Sequence, residues 1–114
     1  MSRLISDEIR YKLLRLLKAN PQMSQREAAS ELGVSVGKVN YVLQALMERG
    51  WIKAVNFKNS QNKLAYRYLL TPRGIEAKTK LTMRFLRTKM DEYELLKLEI
   101  EQIRRDAEDR RVQE

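Results

Sequence analysis

The sequence predicts a mostly helical α+β fold, in which three short helices are followed by a two-stranded hairpin and one long carboxyl-terminal helix. Apolar residues recur at spacings of three and four before residue 50 and after residue 72, whereas between them they alternate with polar residues. Capping residues also stand where the helices should begin. We expect the 114 residues to form one domain, residues 1–71, from which the long helix, residues 72–114, extends.

The three short helices carry start and stop signals. A serine precedes each of them, namely Ser6, Ser24 and Ser35. A residue that interrupts the helix follows each of them, namely Pro21, Gly33 and Gly50. Ser24 and Glu27 have the spacing of a capping box for the second helix, Gln25 to Leu32. Only three residues, 33–35, then separate the second helix from the third.

The segment after the third helix predicts a β-hairpin. Residues 51–57 are rich in aromatic and β-branched side chains, and residues 64–70 alternate as in a half-buried strand. The polar and basic connection, residues 58–63, is too long for a two-residue turn and is expected to project as a wing. Trp51 is a candidate for stacking on a base, but a single tryptophan at the start of a strand more often belongs to the core.

Thr71 and Pro72 form the start of the long helix, which we expect to continue to about Asp109 and to fray from Arg110. Its first part is expected to cover helix one through Ile75, Leu81, Phe85 and Leu86, while its second part extends past any surface of this small domain. Apolar residues recur along it at alternating spacings of three and four, as in a coiled-coil dimer, if Lys89 occupies one position of the pattern. These are Leu86, Tyr93, Leu96, Ile100, Ile103 and Ala107.

Composition excludes most enzyme classes. The chain has no cysteine and no histidine, so thiol chemistry, disulfides, the usual zinc sites and histidine-dependent nucleophiles are excluded. Aspartate, glutamate, lysine and tyrosine could act as acid or base, but no motif gathers them into a pocket. We therefore expect no catalytic residues, metal or cofactor. No apolar run exceeds three residues, so we expect no membrane segment and a cytoplasmic protein.

Charge favours a polyanionic partner. The formal net charge is +8 and the pI is about 9.9. Residues 1–80 contain 15 basic and 6 acidic side chains, net +9, whereas residues 81–114 contain 8 and 9, net −1. The basic part of the chain is therefore the part that contains the three helices and the hairpin.

Three helices, a three-residue link and a hairpin are the layout of a winged helix-turn-helix, whose third helix enters the major groove of DNA. Polar or small residues lie opposite the apolar stripe of that helix. We expect them to contact DNA, and they are Ser35, Gly37, Lys38, Asn40, Tyr41 and Gln44. Asparagine and glutamine pair with adenine, lysine reaches guanine or phosphate, and glycine permits close approach of the backbone.

The wing is expected to contact the minor groove or the phosphates. Its candidate residues are Lys58, Asn59, Asn62 and Lys63. Two alternatives stay open: these polar groups could simply be solvated, and the fold could serve as a protein-interaction module instead of binding DNA.

Several segments together resemble the MarR-type winged-helix regulators. They are residues 23–35 (MSQREAASELGVS), 38–43 (KVNYVL) and 70–74 (LTPRG). The short length and residues 35–41 (SVGKVNY) are similar to the subgroup associated with exopolysaccharide gene clusters. The resemblance implies a homodimeric transcriptional regulator that binds a pseudo-palindromic double-stranded DNA operator.

Two departures from the MarR pattern bear on the wing and the dimer. Residues 62–65 (NKLA) stand where the family often has Asp-Arg-Arg-Ala, so Lys63 replaces the arginine that reaches the groove. Only residues 1–5 precede helix one, where the usual member has an additional helix. We therefore expect dimerisation to depend on the carboxyl-terminal helix, and a small-molecule effector stays unknown.

Overall fold

The computed structural model describes residues 5–58, 61 and 64–113, of which residues 64, 65 and 110–113 are described by their backbone alone. The predicted order of elements is confirmed. The helices are α1 (Asp7–Ala19), α2 (Gln25–Leu32), α3 (Val36–Glu48) and α4 (Pro72–Gln113). The strands are β1 (Ile52–Lys58) and β2 (Leu64–Leu70), which form an antiparallel hairpin.

The helix caps explain why the first three helices begin where they do. The Oγ atoms of three serines each accept a hydrogen bond from the backbone N–H three residues later, at 3.0–3.2 Å, namely those of Ser6, Ser24 and Ser35. Gly33 ends α2 with φ of 67°, a conformation that glycine adopts without strain. The short link between α2 and α3 therefore has the geometry of a helix-turn-helix.

One apolar core holds α1, α2, α3 and the start of α4 together. Its fully buried side chains come from three of the helices, and they are Leu13, Leu14, Leu17, Val39, Val42, Leu43, Leu46 and Leu81. Each contributes about 1.5–3 kcal/mol relative to exposure. Trp51 packs against this core, in agreement with its assignment to the core.

Within the described residues, the hairpin is anchored at its base. Its register runs from Ile52 opposite Leu70 to Lys58 opposite Leu64. Tyr68 is buried, with 7% of its surface exposed, and its N–H donates to the carbonyl of Pro21 at 3.0 Å. Two residues towards the tip on the same face, Tyr66 is 56% exposed. The expected half-buried strand is therefore buried only near the body of the domain.

The start of α4 is fixed against the base of the hairpin. The Thr71 N–H donates to the carbonyl of Trp51 at 3.0 Å, and the Thr71 hydroxyl oxygen accepts from the N–H of Gly74 at 3.0 Å. A Cβ atom at Gly74 would lie 1.8 Å from the Trp51 carbonyl oxygen. Residue 74 must therefore be glycine for α4 to leave the domain in this direction.

Helix α4 has 42 residues, which corresponds to about 63 Å, and the molecule is 72 Å long. Its first part packs on α1 through Leu81 and through Phe85, whose ring lies 5.2 Å from that of Tyr11. Ile75 and Leu86, expected to cover helix one, are instead 51% and 52% exposed. The helix also continues to Gln113, past the residue at which we expected fraying, because no glycine or proline interrupts it.

Candidate nucleic-acid interface

Helix α3 has one face in the core and one face open to solvent. Val39, Leu43 and Leu46 are buried, while Gly37, Tyr41 and Gln44 are exposed on the other side. The exposed three follow one another at spacings of four and three, so they share one helix face. The face that we expected to contact DNA is therefore accessible along two turns of the helix.

Ser35 and Lys38 stand at the amino end of this face. The Ser35 oxygen accepts the N–H of Lys38 at 3.0 Å, so the hydroxyl caps α3 and keeps its hydrogen for donation to an anion. The Lys38 side chain is half-buried. Ser35 therefore stabilises the start of α3, and both residues lie beside the open face.

Gly37 lies in helical backbone with space beside it. A Cβ atom there would meet only the Ser35 Oγ, at 3.9 Å, which is an ordinary contact distance. Glycine lowers helix stability relative to alanine, and nothing within the described part of the chain requires glycine here. The position therefore allows a molecule outside the chain to approach the helix backbone closely.

Asn40 belongs to a hydrogen-bond network that the sequence did not indicate. Its amide donates to the Gln25 side-chain carbonyl at 3.3 Å, and the Gln25 amide donates to the Tyr68 hydroxyl at 3.2 Å. Gln25 is the first residue of α2, so the network connects α2, α3 and β2. It fixes the position of the wing relative to the open face of α3.

Sequence reasoning also missed Val36. It is 44% exposed at the first turn of α3, where an apolar side chain can contact a thymine methyl group. Its position outside the Val39–Leu43–Leu46 stripe is the signal that could have identified it. Gln25 had no comparable signal, because its partners come from distant parts of the chain.

The wing is described in part. Lys58 is exposed at the end of β1, while Asn59, Asn62 and Lys63 lie outside the described residues. The Arg67 guanidinium lies 4.6 Å from the centre of the Phe57 ring, on the neighbouring strand. This cation–π contact braces the middle of the hairpin.

A second basic region lies where α3, β1 and α4 meet. It is an open groove of about 500 Å³, which we call the basic groove, and its charged or aromatic lining consists of Arg49, Trp51, Arg73, Glu76, Lys80 and Arg84. Beside these residues, burial together with the charges of Arg49 and Arg84 lowers the pKa of Arg10. Asp7, 3.6 Å from Arg10, compensates only in part.

The residues expected to form a dimer lie on the surface of α4. Leu86, Tyr93, Leu96, Ile100 and Ile103 are between 46% and 60% exposed, and Ala107 is exposed as well. Lys89 is different, because its ammonium turns back to Glu8 on α1 at 3.5 Å and to Glu92 at 3.1 Å. Its hydrogen bond with Glu92 raises the pKa of Lys89.

Within residues 81–90 of α4, the exposed apolar side chains are Met83, Leu86 and Met90. They line one shallow groove together.

The described residues contain no cluster of three or more possible metal ligands among histidine, cysteine, aspartate and glutamate. Across the described ranges, no helix is both long enough and apolar enough to cross a membrane. The features that stand out are therefore charge and the open face of α3.

Residues 6–53 match the protein family described as winged helix-turn-helix DNA-binding. This match covers α1, α2, α3 and the start of β1, and it agrees with the predicted fold. No curated protein sequence gives a significant match.

Three solved structures share the fold. The PcaV transcriptional regulator of Streptomyces coelicolor, in complex with its natural ligand, is 25% identical with a TM-score of 0.58, covering 70% of this chain and 55% of PcaV. The TA0346 protein of Thermoplasma acidophilum, named as a transcriptional regulator, is 18% identical with a TM-score of 0.62, covering 79% of this chain and 93% of TA0346. MarR of Staphylococcus aureus, in complex with salicylate and kanamycin, is 17% identical with a TM-score of 0.52, covering 72% of this chain and 53% of MarR.

In these two ligand-bound structures, the matched part of this chain spans only about half the length of PcaV and of MarR. At the level of fold, the resemblance to MarR-type regulators is confirmed: the chain has the winged helix-turn-helix of these proteins, followed by a long helix.

Proposed function

We propose that this chain is a transcriptional regulator that binds double-stranded DNA as a homodimer. The observation that carries the proposal is the open face of α3, where Gly37, Tyr41 and Gln44 are exposed on a helix whose other side is fully packed. Such a helix fits the major groove, which is about 12 Å wide. The match of residues 6–53 to DNA-binding winged helix-turn-helix domains supports the same conclusion.

In this proposal α3 carries the sequence readout. Gln44 hydrogen-bonds to the edge of adenine, and Val36 contacts a thymine methyl group. Gly37 lets the helix backbone approach the DNA, and Tyr41 lies between them on the same face. Asn40 keeps an acceptor oxygen and one N–H for DNA, because only one of its donors is used by Gln25.

The wing and the helix caps supply contacts that do not depend on sequence. Lys58 lies at the end of β1 and approaches phosphates or the adjacent minor groove, together with Asn59, Asn62 and Lys63. The Ser35 hydroxyl and Lys38 contact phosphates beside the major groove.

A homodimer through α4 explains why so much apolar surface of that helix is exposed. Two copies related by a twofold axis would recognise a pseudo-palindromic operator, with half-sites about 10–10.5 bp or a multiple apart. The proposed site of action is the cytoplasm. The similarity of residues 35–41 to the exopolysaccharide-associated subgroup further suggests genes of exopolysaccharide biosynthesis as targets.

Substitutions in α3 and in the wing test these roles. The operator is first obtained by selecting fragments of genomic DNA that the protein binds, which also identifies the target genes. Gln44→Ala should narrow the difference in affinity between the operator and random DNA, whereas Lys58→Ala should weaken both about equally. Lys12→Ala is the matched control, because Glu8 lies 3.5 Å from the Lys12 ammonium and already compensates its charge.

Salt dependence provides an independent measurement. If the dimer contacts about 6–10 phosphates, a plot of log affinity against log salt should have a slope near −0.9 for each contact. A flat salt response, or a failure to select any duplex, would contradict DNA binding and favour a protein-interaction module.

A further inference from the structure

Helix α4 has two halves of opposite charge. Residues 72–90 contain six basic side chains and one acidic one, so their net charge is +5. Residues 91–109 contain three basic and eight acidic side chains, so their net charge is −5. The sign changes at the middle of the helix, between Met90 and Asp91.

The apolar stripe of the first half is bordered by cations on both sides. Met83, Leu86 and Met90 form this stripe and are 52–63% exposed. On a helix with 3.6 residues per turn, Lys80 and Arg87 fall on one side of it. Lys78 and Lys89 fall on the other side.

The apolar stripe of the second half is bordered by acids instead. Its members are Tyr93, Leu96, Ile100, Ile103 and Ala107, all exposed. The same helical geometry places Glu99 and Asp106 on one side of the stripe and Glu101 and Glu108 on the other. Each half of α4 therefore presents an apolar stripe with a border whose charge complements that of the other half.

The basic groove is a second observation that points the same way. It lies beside the amino-terminal half of α4, and three of its cations, Arg73, Lys80 and Arg84, belong to that half. Arg10 adds to the positive charge nearby, and its Nε atom is buried with no hydrogen-bond partner. The described residues offer only Glu76 as an acid lining this groove. Asp7, 3.3 Å from Arg84, and Glu76, 3.4 Å from Lys80, compensate part of this charge, and an acidic segment of a second copy would compensate more of it.

We propose that the two α4 helices of the homodimer run antiparallel, so that the acidic half of each helix covers the basic half of the other and ends near the partner's basic groove. This inference rests on the dimer of the proposed function and specifies its arrangement. With the twofold axis near residue 90, residues 72–108 overlap along their whole length, and Lys80 of one copy lies opposite Glu101 of the other.

A parallel pair would be electrostatically unfavourable. It would place two segments of net charge +5 side by side, and likewise two segments of −5, along about 57 Å of helix. It would also leave both basic grooves uncovered at one end of the dimer. Antiparallel packing removes both problems while burying the same apolar stripes.

The absence of cysteine from the chain permits a direct distance measurement on the full-length protein. Gln102→Cys and Thr88→Cys, each exposed and outside the apolar stripes, would be spin-labelled and examined by double electron–electron resonance. The antiparallel pair places the two copies of residue 102 about 36 Å apart along the helix axis and those of residue 88 about 6 Å apart. A parallel pair leaves no offset along the axis at either residue, so both distances are short and are set by the separation of the helix axes, about 8–10 Å, plus the length of the two labels.

A long distance at residue 102 with a short distance at residue 88 supports the proposal. Short distances at both residues overturn it, and the absence of any dipolar signal overturns it together with the dimer. Binding of the same labelled variants to the selected operator keeps the two proposals separate. If DNA binds normally while both distances are short, only the helix arrangement is wrong.

A charge exchange tests the contact between the two halves. Lys80→Glu and Glu101→Lys should each raise the dissociation constant of the dimer, and the double variant should restore it, as measured by sedimentation equilibrium. In a parallel dimer these residues are about 31 Å apart along the axis and their effects would simply add, which would overturn the proposal. Lys12→Ala serves as the control for loss of an exposed lysine outside α4.

Discussion

Replacement of Gly37 by alanine separates the stability of the fold from the proposed contact with DNA. The added Cβ atom meets only the Ser35 Oγ at 3.9 Å, so it causes no steric conflict within the described chain. Alanine is favoured over glycine in a helix by about 0.5–1 kcal/mol, with the smaller value near a helix end, where residue 37 lies. For a protein of this size that corresponds to a rise in Tm of about 2–6 °C.

The same methyl group should weaken DNA binding. If the α3 backbone lies against the DNA at residue 37, the methyl group displaces the helix, and overpacking of this kind costs about 1–3 kcal/mol. Since about 1.4 kcal/mol corresponds to a tenfold change in affinity, we expect the Kd for the operator to rise about 5- to 150-fold. Fluorescence anisotropy measures the affinity, and differential scanning calorimetry measures Tm.

The opposite signs of the two effects make the experiment decisive. A higher Tm with unchanged affinity would refute close approach of DNA to Gly37, and a lower Tm would refute the inference that the space is open. Gly33→Ala is the control, because no atom lies within 4 Å of its added Cβ but its φ of 67° is strained for alanine. It should lower stability by about 1–2 kcal/mol.

Two further substitutions test the connections that position the site. Gly74→Ala should destabilise the protein by about 3 kcal/mol or more, seen in chemical denaturation, because its Cβ atom would lie 1.8 Å from the Trp51 carbonyl oxygen; wild-type stability would disprove this packing. Tyr68→Phe should cost about 0.5–1.5 kcal/mol and lower operator affinity more than random-DNA affinity, since Gln25 and then Asn40 lose their support. An equal loss on both DNAs would show that the network does not position α3.

Local sequence signals were sufficient for the order of elements. Ser24, Gly33 and Ser35 act on backbone groups within three or four residues, so their caps could be predicted without knowledge of the rest of the fold. The buried stripe of α3 was predictable for the same reason, because Val39, Leu43 and Leu46 follow the period of the helix.

The candidate site was predictable only in part. Tyr41 and Gln44 are exposed because they lie opposite the buried stripe, which the helical period already implies. The link from Asn40 through Gln25 to Tyr68 spans 43 residues between its last two members, and no local pattern indicates such a pairing. The turn of Lys89 towards Glu8 depends likewise on how α4 packs against α1.

The sequence by itself determined the three capped helices, the hairpin, the start and uninterrupted course of α4 and the segregation of positive charge, because these depend on neighbours along the chain or on composition. Only the tertiary structure decided which residues of α4 are covered by α1, that Gly74 must pass the Trp51 carbonyl, and that Arg10 lies among other cations. Those outcomes depend on contacts between distant segments, whose geometry is set when the shared core forms.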